Sequence, residues 1–308
     1  MKTPPVYTLT GNLLWEQTLA FTDWAPGCSQ RAASATFQVG GKGINVSKML
    51  NRLGMPNTAL CFTGGFSGAA CVAWLKAGEF AFRSFPAAHA TRTGVVVRGG
   101  SHRETVFMGP DTPPGAVAVR ACAAFLKARP DGGVLALCGS LPGWETTDFD
   151  PLRAVLESWI RRGTLVADTY GPPLAWLAGR PVALVKINRD EFDGLRGHAS
   201  VRKVDAASCR VSTRNAAARR VYSPVHQWVI TDGAKPVSLI DEQGKTAVLK
   251  PPRVREVSPT GSGDVLLACL LYARLRLGLP LRESVAFALP YAAANAADPG
   301  IATFPDFK

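Results

Sequence analysis

The stretch PTGSGDVLLACLLYARLRLG, residues 259–278, joins a glycine-rich tetrad to a long apolar run. Gly261, Ser262 and Gly263 are small, and Asp264 stands at the head of the apolar residues. A glycine-rich turn that opens a helix leaves backbone N–H groups unpaired, and the helix dipole makes that end attractive to anions. Glycine lets a phosphate approach the backbone closely. A carboxylate at this spot repels phosphate unless it has another task. In phosphoryl transfer that task is to accept the proton of the attacking hydroxyl, while the amides of 261–264 stabilise charge on the group in transit. The plainer reading makes Asp264 a helix cap. The tetrad alone leaves both open. The apolar run, 265–277, is too short to span a bilayer and is interrupted by Arg274 and Arg276.

A second glycine-rich stretch lies near the other end of the chain, VGGKGINVSKMLNRLG at 39–54. Gly40, Gly41 and Gly43 surround Lys42, and a helical apolar pattern follows through Ile44, Val46, Met49, Leu50 and Leu53. The order of Lys42 and Gly43 excludes the G-x-x-x-x-G-K-[ST] loop, and the spacing is not that of a dinucleotide fingerprint. The residues suit an oxygen-rich ligand held by backbone amides, with Lys42 and Asn45 as donors. They equally suit a tight turn before a helix.

Between the two stretches, strand-like and helix-like segments alternate. VLALCG (134–139), TLVADTYG (164–171), PVALVKIN (181–188) and QWVITDGA (227–234) are short apolar runs that end in small or polar residues, and LRAVLESWIRRG (152–163) has helical spacing closed by glycine. This pattern predicts a parallel sheet covered on both faces, with ligands beyond the carboxyl ends of the strands. Asp168, Lys186, Asn188, Thr231, Asp232 and Gly233 fall at such ends. Two regions break the rhythm. Residues 8–39 carry no clear helix, and 92–108 reads as a hairpin. Together they predict one β lid, formed by roughly 10–38 and 91–108, on a single domain spanning 1–308.

Composition narrows the function classes. The chain has 308 residues, 47% hydrophobic and 19% charged, which is globular and large enough to need no disulfide or metal staple. Seven scattered cysteines, none in C-x-x-C spacing, predict a reducing, cytoplasmic setting. The N-terminus has no signal-peptide apolar core. The histidines at 89, 102, 198 and 226 lack metal-ligand spacing. Net charge is +12, with some of the excess between Arg196 and Arg220. That cluster has no interleaved aromatics and reads as solvated surface, so neither a nucleic acid nor a membrane is expected as partner.

Taken together, the two glycine-rich stretches resemble the signatures of the PfkB, or ribokinase-like, carbohydrate kinases. GGKGINVSKMLNRLG is similar to the N-terminal signature and SPTGSGDVLLACLL to the C-terminal one, and the likeness covers nearly the whole chain. Within the family, TRTGVVV (91–97), CGSLPGW (138–144) and LVKINRDEF (184–192) resemble the branch of 1-phosphofructokinase and tagatose-6-phosphate kinase. The resemblance implies a three-layer α/β/α fold with a mainly parallel sheet and a small β lid. It implies ATP and Mg²⁺, and a primary hydroxyl of a ketohexose monophosphate as acceptor. Asp264 matches the catalytic base, and Gly261, Ser262 and Gly263 the anion hole. Gly41, Lys42 and Asn45 fall in the sugar-binding signature. Arg92 matches a lid arginine suited to a sugar phosphate, and Ser140 lies near the phosphates. Lys186, Asn188, Thr231 and Gly233 match the nucleotide side. Asn188 and Glu191 match a pair that organises water and magnesium. Many relatives pair through their lids, which implies a homodimer.

The chain also departs from the pattern. The branch usually opens with T-L-N-P-A-[LI]-D, whose Asp holds sugar hydroxyls. Here the stretch is TLTGNLLWEQTL (8–19), and alignment on Thr18-Leu19 puts Glu16 in the Asp place with Trp15 beside it. The K-P-N segment reads Lys186-Ile187-Asn188, and S-x-G reads Thr231-Asp232-Gly233. The base and anion hole match in full, so the departures fall on substrate choice. An unphosphorylated sugar or nucleoside as acceptor, or a non-catalytic sugar- or nucleotide-binding regulator, are the alternatives. Three side chains carry open assignments: Asp168 as part of a magnesium network or a turn cap, Glu104 as a substrate contact, and Asn295 as adenine-pocket lining or packing.

Overall fold

The computed structural model describes residues 3–100, 102–195 and 224–306. The basic cluster between Arg196 and Arg220, with Cys209 and His198, lies outside the described residues. The chain runs through β1 (Val6–Thr10), β2 (Leu14–Ala20), β3 (Ser34–Gly40), α1 (Lys42–Arg52), β4 (Thr58–Thr63), α2 (Gly65–Ala77) and β5 (Phe82–Pro86). A hairpin follows, β6 (Arg92–Gly99) and β7 (His102–Met108). Next come α3 (Ala116–Lys127), β8 (Val134–Cys138), α4 (Asp150–Arg162), β9 (Thr164–Asp168), α5 (Pro172–Ala178), β10 (Leu184–Asn188) and α6 (Arg189–Gly194). The last described part holds β11 (Trp228–Thr231), β12 (Val237–Ile240), β13 (Thr246–Leu249), α7 (Ser262–Leu275) and α8 (Leu281–Ala296).

Nine strands form one sheet in the order β13-β12-β11-β10-β9-β8-β1-β4-β5. From β11 to β5 neighbouring strands are parallel, and β12 and β13 are antiparallel at the edge. Strands such as VLALC of β8 are buried along their whole length, as expected where helices cover both faces of a parallel sheet. One face packs on α3, α4 and α5 through Leu126, Leu156, Trp159 and Leu177. The other packs on α1, α7 and α8 through Val46, Met49, Leu50, Leu267 and Val285.

The helix α7 explains its own composition. Every residue from Asp264 to Leu271 is buried, because the helix lies between the sheet, α1 and α8 and has no solvent face; a helix apolar all round is a buried one. Each leucine buried there contributes roughly 1.5–3 kcal/mol relative to exposure. Truncating the fully buried Leu267 to Ala would cost about 2–5 kcal/mol. The run therefore anchors the turn in front of it.

The two excursions outside the α/β rhythm meet in a four-stranded sheet of order β3-β2-β6-β7. β2 and β6 run parallel, with β3 and β7 antiparallel on their outer sides. Strand alternation puts Leu14 and Glu16 on one face of β2 and Trp15 on the other. The carboxyl ends of β1, β8, β9, β10 and β11 open on the side of the main sheet that this lid adjoins.

Candidate active site

Gly261 is the cap position of α7, with φ 78°, a left-handed conformation that favours glycine. The helix proper begins at Ser262, which leaves Asp264 inside the first turn. Asp264 is only 6% exposed, and its Oδ2 accepts a 2.7 Å hydrogen bond from Asn45 Nδ2 of α1. The cap position thus belongs to Gly261, and the Asp264 carboxylate is engaged across the two signature helices. Burial, and next the negative charge of Asp168, push the Asp264 carboxyl up to about 6, against the pull of Lys42, Lys186 and the Asn45 bond. Gly263 has a separate reason to be glycine: a Cβ there would lie 2.5 Å from Lys186 Nζ. The Lys186 ammonium therefore rests against the turn that carries Asp264.

Asp168, at the end of β9, is the hub of the cleft. Its Oδ1 accepts from Lys42 Nζ at 2.7 Å and its Oδ2 from Lys186 Nζ at 2.7 Å. Burial pushes its carboxyl upward, but the two ammonium groups outweigh it and hold Asp168 below the usual carboxylate range. Burial alone would lower Lys42; Asp168, Glu191 and Asp264 outweigh it and raise that ammonium well above its ordinary value. Asp168 is thus the ion-pair centre between the two lysines. Lys42 Nζ lies between Asp168 and Glu191, 3.6 Å from Glu191 Oε1.

At the end of β10, Asn188 caps α6. Its Oδ1 accepts from Glu191 N and Glu191 Oε2 accepts from Asn188 N, both at 2.8 Å, a reciprocal capping box. Thr231 stands opposite Asn188 in the β10–β11 register, and its hydroxyl donates to Ile187 O at 3.3 Å. Gly233 follows with φ 55° and open space where a Cβ would be.

A second wall of the cleft is built from the lid and the ends of β1 and β8. Asn12 Nδ2 donates to Ser140 Oγ at 2.9 Å and to Asp111 Oδ1 at 2.7 Å, and Arg92 also donates to Asp111 Oδ1, at 2.9 Å. Gly41, whose backbone conformation of φ 116° opens α1, lies against Thr10 and Asn12. Glu16 is buried and accepts from Gln38 Nε2 at 2.5 Å; Gln38 Oε1 in turn accepts from Lys48 Nζ at 2.9 Å. Lys48 also lies over the Trp74 ring, 5.1 Å from its centroid. Burial pushes its ammonium down to about 8, against Glu16 and Asp264. Glu16 therefore sits in the wall of the cleft on the same face as Leu14, two residues along the strand.

Three members of this wall escape the sequence reading: Gln38, Lys48 and Asp111. Gln38 and Asp111 lie outside every motif. Lys48 lies inside the N-terminal signature, one helical turn after Asn45 on α1, and that spacing was the available signal. Asn295 turns out to brace the active turn: it is fully buried, donates to Thr260 O and Ser262 Oγ, and accepts from Ala302 N.

The sequence profile of the pfkB family carbohydrate kinases matches residues 9–142 and 169–306. The chain belongs to this family. It is therefore a carbohydrate kinase, a phosphotransferase. The 1-phosphofructokinase of Borreliella burgdorferi is 26% identical over 306 residues, covering 98% of this chain and 95% of that protein. The 1-phosphofructokinase of Rhodobacter capsulatus is 30% identical over 292 residues, covering 93% and 88%. Among solved structures, phosphofructokinase-2 from Escherichia coli in complex with fructose-6-phosphate superposes with TM-score 0.80 at 21% identity, covering 95% of this chain and 94% of that one. That likeness shows the fold, which is ribokinase-like.

Proposed function

We propose that this kinase transfers the γ-phosphoryl group of ATP to a primary hydroxyl of a ketohexose monophosphate, such as fructose 1-phosphate or tagatose 6-phosphate, with Asp264 as general base. One observation carries the reading: a buried carboxylate, pushed up to about 6, inside the anion-attracting first turn of a long buried helix. A base poised near neutral pH combines a large ionised fraction with useful proton affinity. Asn45 holds Oδ2, which leaves Oδ1 to take the hydroxyl proton. The amides of 261–264 and the Lys186 ammonium beside Gly263 stabilise charge on the transferring group. Asn12, Glu16 and Ser140 hold sugar hydroxyls, and the lid excludes water that would otherwise compete.

The chain's residues fit a nucleotide with Mg²⁺. Among the described residues there is no cluster of three or more metal-ligating side chains, and Mg²⁺ is usually held by one or two carboxylates, waters and substrate phosphates. Glu191 Oε1, outside the capping box, offers that carboxylate, with Asn188 beside it. When bound, the ion neutralises charge on the phosphates. Lys186, Thr231 and Gly233 form the nucleotide wall.

The names of the relatives support a sugar phosphate, as do Arg92 and Lys48 in the sugar wall. The Arg92–Asp111 pair favours a second reading, an unphosphorylated sugar, because Asp111 already neutralises the arginine. ADP release over a panel of sugars, sugar phosphates and nucleosides separates them. Turnover confined to ketohexose monophosphates is expected; faster turnover of neutral sugars favours the second reading, and no turnover with any acceptor favours a regulator. A homodimer through the lid is supported by the face opposite Glu16. There Trp15 stacks on Phe37, and Phe37 and Phe107 are about half exposed. Sedimentation of the protein, with Phe37→Ser and Phe107→Ser as monomerising changes, tests it.

A further inference from the structure

The loop that delivers the active turn is held from two sides. On one side is α8: Val257 N and Ser258 N donate to Ala296 O, and Asn295 Nδ2 donates to Thr260 O and Ser262 Oγ. On the other side is the lid. Glu104 of β7, on the same lid face as Glu16, accepts at Oε1 from Ser258 Oγ at 3.2 Å and Thr260 Oγ1 at 3.0 Å. Its Oε2 accepts from Arg98 Nε of β6 at 2.6 Å. The Glu104 side chain is about nine-tenths buried. A carboxylate serving only the lid hairpin would need no more than Arg98. This one spends its second oxygen on two hydroxyls far away in the chain, immediately ahead of Gly261.

We propose that Glu104 is a latch, a positioning residue that ties closure of the lid to assembly of the anion-binding turn at 261–264. The proposal rests on the kinase reading of that turn. α8 supplies a fixed wall to the loop and the lid a movable one. With the lid down, Thr260 is held from both its hydroxyl and its carbonyl, so the amides that follow are fixed in direction. With the lid raised, the hydroxyl loses its partner and the turn is held from behind alone. Phosphoryl transfer geometry is thereby completed after the sugar is enclosed, which suppresses transfer to water. Coupling of this kind is reciprocal, so loosening either end must loosen the other.

The test compares the wild type with Glu104→Ala, with a loop variant carrying Ser258→Ala and Thr260→Val, and with both combined. In each of the first two, kcat for the sugar acceptor is expected to fall about tenfold, with the KM for ATP little changed. The combined variant should be no worse than the poorer of the two, because each removes the same link. Amide exchange without substrates gives a readout independent of turnover. Glu104→Ala should speed exchange at 261–264, and the loop variant should speed it in β7. An active enzyme whose kcat is unchanged by the loop variant, losses that multiply, or exchange that does not cross the gap would overturn the latch. If the wild type turns over no acceptor, the kinase reading fails, while the exchange result still decides the latch.

Discussion

Asp168 at the end of β9 and Asp264 in the first turn of α7 are both buried in the same cleft, and their surroundings drive them in opposite directions. Asp168 touches two ammonium groups and stays ionised below the usual range. Asp264 touches a neutral amide and feels the charge of Asp168, so its carboxyl rises to about 6. Two residues of one type thus divide the labour. One holds lysines in place, and the other has proton affinity to spare. The same division sets the pH response. Asp168 contributes stability above the ordinary carboxylate value of 3.8, which is lost as pH falls through its depressed folded value. The contribution of Asp264 runs the other way: full below 3.8, it is lost as pH rises through about 6.

The largest expected effect breaks the comparison at Asp264. Asp264→Asn should lower kcat by about 10²–10⁴-fold, the usual span for a general base. It should also raise thermal stability at neutral pH by about 1–3 kcal/mol, since a carboxylate that is costly to ionise has been removed. Calorimetry and initial rates check the two signs together; a loss of both activity and stability would contradict the assignment. In the wild type, kcat/KM should fall as pH drops through about 6, as the base is protonated.

Asp168→Asn breaks the other half. It leaves the buried Lys186 ammonium without its anion, while Lys42 keeps Glu191 at 3.6 Å, a loss of about 3–5 kcal/mol of stability, measured by denaturant unfolding. In the folded fraction the acid limb of the pH–rate profile should move to lower pH, because one cause of the raised Asp264 value is gone. An unmoved limb would separate the two carboxylates.

Smaller changes sharpen the comparison. Arg92→Ala should raise KM for a sugar phosphate about 10–100-fold with kcat little changed, in line with roughly 1.5–3 kcal/mol for a hydrogen bond to a charged group. The same change should leave a neutral sugar almost unaffected. Gly263→Ala is the mildest to the fold, since the Lys186 ammonium it displaces ends a flexible side chain. We expect stability within about 1 kcal/mol of the wild type, alanine being the better helix former, and kcat down about tenfold.

Much of the fold was legible because its signals are local. Apolar runs ending in small residues marked β8 to β11, and the hairpin at 92–108 read correctly as β6 and β7. The antiparallel pair β12 and β13 was not foreseen; each is only four residues long, and their hairpin lies beyond the parallel rhythm that guided the reading. Within the site, Gly261 to Asp264 and Asn45 were found through glycine-rich helix starts. Lys42 was found, but not its pairing with Asp168, which lies 126 residues away. Asp111 and Gln38 are ordinary residues until the lid brings them to the cleft.

By itself, the sequence determined which short segments could bind anions and which apolar run would hold them. Those properties follow from backbone freedom at glycine, unpaired N–H groups at a helix start and the period of apolar residues, all of which act over one or two turns. Only the tertiary structure decided which charges meet: Asn45 with Asp264 across 219 residues, Lys42 and Lys186 on Asp168, and Glu104 with Thr260 across 156. Proton affinity in a buried cleft depends on the charges and the solvent within a few ångströms. Those neighbours are chosen by the order of strands in the sheet and by the path of the lid over it.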